Sequence, residues 1–263
     1  MTSPANSIKR AGSRFYVDPI TGDKLPSVTS IQNALSKPAL QFWAAKMVAQ
    51  CAVEEFGAVS QMIIGGNPDN AIDYLKRAPG RSSGKAAGLG TEIHDLADRI
   101  GKGEVLERVH PDHQGFVDQL HKFIKDFDVS FLESEATVWS DTHGFAGTLD
   151  AIILVDGEAI ILDYKTGASG IWPDVGIQLN AYANADEILD KSGERRPLPK
   201  IDGAAALHLR PDSYELIPVR LGDDIFEVFQ ALTVASHWVR DLSKTVLGNP
   251  VDPTQKEKQN AIK

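Results

Sequence analysis

Two apolar runs rich in β-branched residues meet at Asp156-Gly157, and this pair constrains the chain more than any other feature. Asp-Gly between such runs is the strongest short hairpin signal, because both central residues of a type I′ turn need φ > 0. The stretch 144–165 is therefore expected to be a hairpin. With a two-residue turn Val155 faces Glu158, and Asp150 stands directly opposite Asp163, their Cβ atoms about 4.5–5.5 Å apart. Lys165, two residues beyond Asp163, shares their face. Ala151, Ile153 and Val155 cover one side of the ribbon, and Ile152, Leu154 and Ile161 the other. Strands apolar on both faces are usually buried on both.

Two opposed buried carboxylates repel, and one must stay neutral unless a cation sits between them. A hard divalent ion such as Mg²⁺ or Mn²⁺, held by a few carboxylates, water and substrate phosphate, meets that need. On the hairpin alone, a partly exposed aspartate pair with Lys165 as internal salt-bridge partner is an equally good reading.

The 263 residues allow one large domain or two small ones, and 42% hydrophobic with 24% charged residues is an ordinary globular composition. The single cysteine, Cys51, excludes an internal disulfide and a four-cysteine zinc or iron–sulfur site. No signal-peptide pattern and no run of 18 apolar residues occurs, so a reducing cytoplasm is the expected compartment. A net charge of −9 argues against non-specific nucleic-acid affinity. It leaves room for a local basic channel, since phosphate contacts need only a few well-placed cations.

Along the chain, residues 1–13 are expected to be disordered, followed by a small hairpin turning at Pro19–Gly22. Ser27 caps a short helix. A longer helix runs from Pro38 to about Phe56, with Leu40, Trp43, Ala44, Met47, Val48 and Cys51 on its inner face. The glycine-rich stretch 79–90 lacks GxxxxGK[ST] and any preceding strand, so it is no phosphate loop. It reads as a flexible loop whose Arg81 and Lys85 touch a phosphate backbone. Thr91 caps a helix carrying His94, and residues 112–128 form another. Residues 133–139 alternate as a strand, with Glu133 and Glu135 on one face. A helix from Trp172 to about Leu189 places Gln178 and Tyr182 on one face. Two strands, 202–210 and 214–220, precede a final helix from Asp223 to about Leu247. This order predicts an α/β (mixed α+β) fold, a central mixed sheet of about five strands flanked by helices. It divides into an N-terminal helical region, 14–130, a core, 131–248, and a flexible tail, 249–263, together one compact domain.

Phosphodiester hydrolysis needs a metal that polarises the phosphate and acidifies a water, and a group that positions that water. In this reading Asp150 and Asp163 ligate one or two Mg²⁺ or Mn²⁺ ions. Lys165 contacts the scissile phosphate and orients or deprotonates the attacking water.

Gly147-Thr148-Leu149-Asp150, then Asp163-Tyr164-Lys165-Thr166-Gly167, then Gln178-Leu179-Asn180-Ala181-Tyr182 resemble the C-terminal motifs of the PD-(D/E)XK nuclease superfamily, in its RecB-like branch. Gly90-Thr91-Glu92-Ile93-His94 is similar to that branch's upstream G-x-x-x-H motif, and residues 25–46 are similar to the start of phage members. The resemblance implies a restriction-endonuclease-like core. It implies that His94, Asp150, Asp163 and the Tyr164 carbonyl bind metal, and that Gln178 and Tyr182 orient Lys165 and the DNA backbone. Glu135 resembles an additional acidic residue. Several members carry four cysteines for an iron–sulfur cluster, which this chain lacks. The implied activity is a metal-dependent DNA nuclease, an exonuclease by preference, acting in phage-type replication, recombination or end processing. DNA, recombination or replication proteins and a second copy of the chain are the implied partners. A non-catalytic nucleic-acid-binding or recombination accessory protein on the same fold, and a metal-stabilised structural domain, stand as alternatives.

Overall fold

The computed structural model describes residues 6–10, 12–168 and 170–250, apart from the side chains of residues 85 and 86. In chain order it begins with β1 (Ser7–Arg10), β2 (Ser13–Val17) and β3 (Lys24–Pro26), then α1 (Val28–Gln32), α2 (Pro38–Glu54), α3 (Phe56–Ile64), α4 (Pro68–Lys76), α5 (Ala78–Gly101) and α6 (Pro111–Asp126). There follow β4 (Ser130–Ser140), β5 (Phe145–Val155), β6 (Glu158–Lys165), α7 (Val175–Ala183), β7 (Glu187–Leu189), β8 (Arg195–Pro197), β9 (Gly203–Leu209), β10 (Tyr214–Val219) and α8 (Asp223–Arg240). No described helix is long and apolar enough to cross a membrane.

The fold is mixed α/β, built on a seven-stranded sheet ordered β10-β9-β6-β5-β4-β7-β8. Of its pairings only β6 with β9 is parallel. The β5–β6 ladder runs from Val155–Glu158 to Ala151–Leu162, the register expected of a two-residue turn. Asp156 and Gly157 there have φ of 50° and 85°. Both faces of this hairpin are covered. Ile152 and Ile161 join a core with α1, α7 and α8, while Ala151, Ile153 and Leu162 join a second core with α5 and α6.

The sheet has two more strands than expected because the helix starting near Trp172 stops early. Asn184 ends α7, and Glu187–Leu189 adds to the edge of β4, pairing Thr137 with Leu189 and Trp139 with Glu187. Residues 7–10, within the expected disordered start, pair with β2, while residues 1–5 and 11 lie outside the described residues. The stretch 79–90, expected as a loop, belongs to the 24-residue helix α5. Thr91 is internal to that helix, its hydroxyl donating to the Ala87 carbonyl. Gly80, Gly84 and Gly88 each cost about 1 kcal/mol of helix propensity. The packed stripe of Ile93, Leu96 and Ala97 offsets that cost. Helix α2 keeps its expected inner face only in part: Cys51 is buried, but Leu40 is 55% exposed. Helix α8 ends at Arg240, one residue before a short 3-10 segment at Leu242–Lys244.

The small sheet β1-β2-β3 is fastened to the large one by a buried ion pair. Asp18 is 1% exposed and accepts from Arg195 Nε at 3.0 Å and Nη2 at 2.5 Å, and from the Ile20 and Thr21 N–H groups. Arg195 also meets Asp141 and Glu187 and lies over the Trp139 ring. Burial alone raises the Asp18 carboxyl, but these donors outweigh it and hold it below the ordinary 3.8. Arg195→Ala is expected to cost about 3 kcal/mol, because Asp18 is left buried without its cation. The wild-type pair contributes fully above about pH 4, and its contribution is lost as pH falls through the lowered folded value. Urea unfolding of both proteins near neutral pH and near pH 3 checks this: the gap between them must shrink in acid.

Candidate active site

The central strands deliver their acids at a break in the sheet's regularity. Leu149 and Ile152 reach the same core although three residues apart, so strict alternation fails between them, at Asp150. Across from it the β4–β5 ladder shifts register between Phe131 and Glu133. It then runs in one register from Ser134–Ala151 to Ala136–Leu149, leaving out Asp150 and the facing Glu135, whose φ is 50°. A positive φ is uncommon for a residue with a side chain and bends the strand locally. Glu135 thereby turns from Glu133, which the regular strand would have kept on its face and which instead pairs with Arg196. One pair past the end of the β5–β6 ladder, Asp150 Oδ2 accepts from the Tyr164 N–H at 2.7 Å.

Helix α5 brings His94 to this point. His94 Nδ1 is 3.3 Å from Asp150 Oδ1, and Nε2 donates to the Tyr164 carbonyl at 3.0 Å. Lys165 Nζ is 2.5 Å from Asp163 Oδ2, and Gln178 Nε2 donates to Asp163 Oδ1 at 3.1 Å. Gln178 also reaches the Tyr182 hydroxyl at 3.4 Å. Gln178 thus bridges Tyr182 to Asp163, the ion-pair partner of Lys165. The Tyr182 ring lies against Gly147, where a Cβ would be 2.7 Å from Cε1. Only glycine allows that approach.

These groups line one pocket of about 230 Å³. No residue of its other wall was expected as a site residue: Arg14 and Tyr16 from β2, Ser27, Val28 and Thr29 around the start of α1, and Thr148 of β5. The Tyr16 and Thr148 hydroxyls are 2.7 Å apart. Nothing local marks residues 14–29 as site residues, because they arrive by tertiary docking. Arg81 is elsewhere, donating to the Tyr74 carbonyl and to Cys51 Sγ and lying over the Tyr74 ring. The side chain of Lys85 lies outside the described residues.

The electrostatics are those of crowded carboxylates. Burial and the charge of Asp150 push Asp163 up to about 6, with Lys165 pulling the other way. Burial also acts to raise Asp150, yet His94, Lys165 and the Tyr164 N–H hold it below its ordinary value. Burial pulls His94 down, but Asp150 foremost, with Asp163 and Glu135, lifts it to about 9. Partial burial and Asp150 push Glu135 up to about 7, a shift that solvent screening at its exposed rim position tempers. Ligand atoms of His94, Glu135 and Asp150 all lie within 4.8 Å of one another. The buried Asp163 Oδ2 makes the ion pair with Lys165 but accepts no directed hydrogen bond. One imidazole, several carboxylate oxygens and a backbone carbonyl are a donor set suited to Mg²⁺ or Mn²⁺.

No family model and no curated protein matches the sequence. Among solved structures, the crystal structure of SSO0001 aligns at 13% identity over 58% of this chain and 87% of that one, with a TM-score of 0.29. That likeness is too slight to bear on fold or chemistry.

Mn²⁺ at about 100 times its dissociation constant is expected to stabilise the wild type by about 2.7 kcal/mol, and Asp150→Asn by far less. Thermal unfolding with and without the ion measures both. Gly147→Ala is expected to cost about 1–3 kcal/mol by displacing the Tyr182 ring, read from denaturant unfolding.

Proposed function

We propose that the chain is a metal-dependent DNA nuclease of the PD-(D/E)XK type, close to the RecB-like branch, and that it works as an exonuclease in phage-type replication, recombination or end processing. The observation that carries this reading is the convergence of Asp150, Asp163, Lys165 and His94 on one pocket, with Glu135 beside His94 and Asp150. They come from four different elements, and a salt-bridged aspartate pair would not require the histidine, the kinked glutamate or the cavity.

In this reading Asp150, Asp163, Glu135, His94 and the Tyr164 carbonyl hold a divalent ion. Bound there, such an ion neutralises phosphate charge and acidifies a water. Lys165 holds the scissile phosphate through its ammonium and fixes the water beside it, with Asp163 setting the direction of that ammonium. Gln178 keeps Asp163 from rotating by donating to its second oxygen. Tyr182, packed on Gly147, closes the floor of the pocket. Arg14 and Lys165 are the lysine and arginine side chains lining the pocket, so they receive a polyanion despite the net charge of −9.

The test is cleavage of end-labelled single- and double-stranded DNA, linear and circular, in Mg²⁺, Mn²⁺ or EDTA. The expected result is metal-dependent loss of linear DNA with circles spared. Lys165→Ala and Asp150→Ala should each lower kcat by about 10²-fold or more. Arg14→Ala should act mainly through KM. Equal activity in wild type and both catalytic variants, or none with any metal, would sink the proposal.

A further inference from the structure

Lys165 is the last residue of β6, and the chain leaves the sheet immediately after it. A side chain at a strand end inherits whatever freedom the following backbone has. Here that backbone is held from the neighbouring strand. In the parallel β6–β9 register Lys165 pairs with His208. The buried His208 ring donates from Nε2 to the Gly167 carbonyl at 2.8 Å. Arg210, two residues on, donates from Nη1 to the same carbonyl at 3.3 Å. The other His208 nitrogen, Nδ1, is 3.4 Å from the Glu215 carboxylate, which stands opposite it on β10.

Gly167 is exposed, so water alone could satisfy its carbonyl, yet two protein side chains donate to it. The sheet alone would end its hold at Lys165. The side-chain contacts extend that hold by two residues, across the point where the ammonium must be aimed at Asp163. We propose that His208, assisted by Arg210, is a positioning residue of this site, acting through the Gly167 carbonyl to hold Lys165 against Asp163. Placement of Lys165 is the claim itself, and only its kinetic consequence rests on the nuclease reading above.

The experiment compares wild type, His208→Ala and His208→Gln, the last retaining an N–H donor. Reductive methylation of lysines, resolved by peptide mass spectrometry, reports how freely the Lys165 amine reacts, with Lys76, 72% exposed, as internal reference. The Lys165 rate relative to Lys76 should rise about threefold or more in His208→Ala and return toward wild type in His208→Gln. An unchanged ratio in His208→Ala overturns the proposal. Should that variant fail to fold, Arg210→Ala carries the test, with the same direction expected and an unchanged ratio again decisive. In DNA cleavage His208→Ala should lower kcat about tenfold with KM unaltered, and a change confined to KM would overturn the positioning role. A wild type that cleaves no DNA defeats the nuclease reading, while the methylation ratio still decides the role of His208.

Discussion

Repulsion between carboxylates in a confined space governs this structure. Asp150 and Asp163 approach one another where water is largely excluded, with the exposed Glu135 beside Asp150, and no arrangement of apolar neighbours can relieve them. The surrounding chain answers with cations and donors rather than with distance. His94 and Lys165 take opposite sides of the pair, the Tyr164 N–H takes one oxygen of Asp150, and Gln178 takes one of Asp163. The result is asymmetric, with Asp150 driven toward the ionised form and Asp163 toward the protonated one. Two identical side chains on neighbouring strands thus acquire different chemistry from their neighbours alone.

The geometry that permits this is a local sacrifice of sheet regularity. A strand obeying strict alternation would send Glu133 and Glu135 to one side and Asp150 into the core on the side of Ile152. Positive φ at Glu135 and the loss of alternation at Asp150 occur across from each other, so β4 and β5 bend together. Backbone strain of this kind costs of order 1–3 kcal/mol and persists only where the flanking structure dictates it. Here the flanks are the two apolar cores on either face of the hairpin.

Much of this was legible in the sequence where the cause is local. The Asp156-Gly157 turn, the register that brings Asp150 level with Asp163, and the double burial of the hairpin all follow from residues within twenty positions of one another. The strands of β9 and β10 and the amphipathic helix α6 were equally readable. What could not be read depends on partners distant in sequence. Residues 187–189 become a strand only because β4 offers an open edge. Gly80, Gly84 and Gly88 enter a helix because residues beyond them pack well. Arg14 and Thr29 enter the pocket because Asp18 and Arg195, 177 residues apart, dock the small sheet. The bend at Glu135 has no sequence signature, since a glutamate in a strand gives no warning of a left-handed backbone.

The docking of that small sheet has a bearing on when the molecule acquires its chemistry. The acids of β4, β5 and β6 come from consecutive strands and can gather early, since their contacts are short-range. The pocket also needs α7, and the backbone grip on residue 167 needs β9, the parallel neighbour of β6 reached only after a long crossover. The fastening of the Arg14 wall waits for residue 195 in turn. During synthesis the acids therefore exist for some time as an open cluster without a far wall. Chain order works here as a delay: the pocket is complete only once nearly the whole sheet has closed.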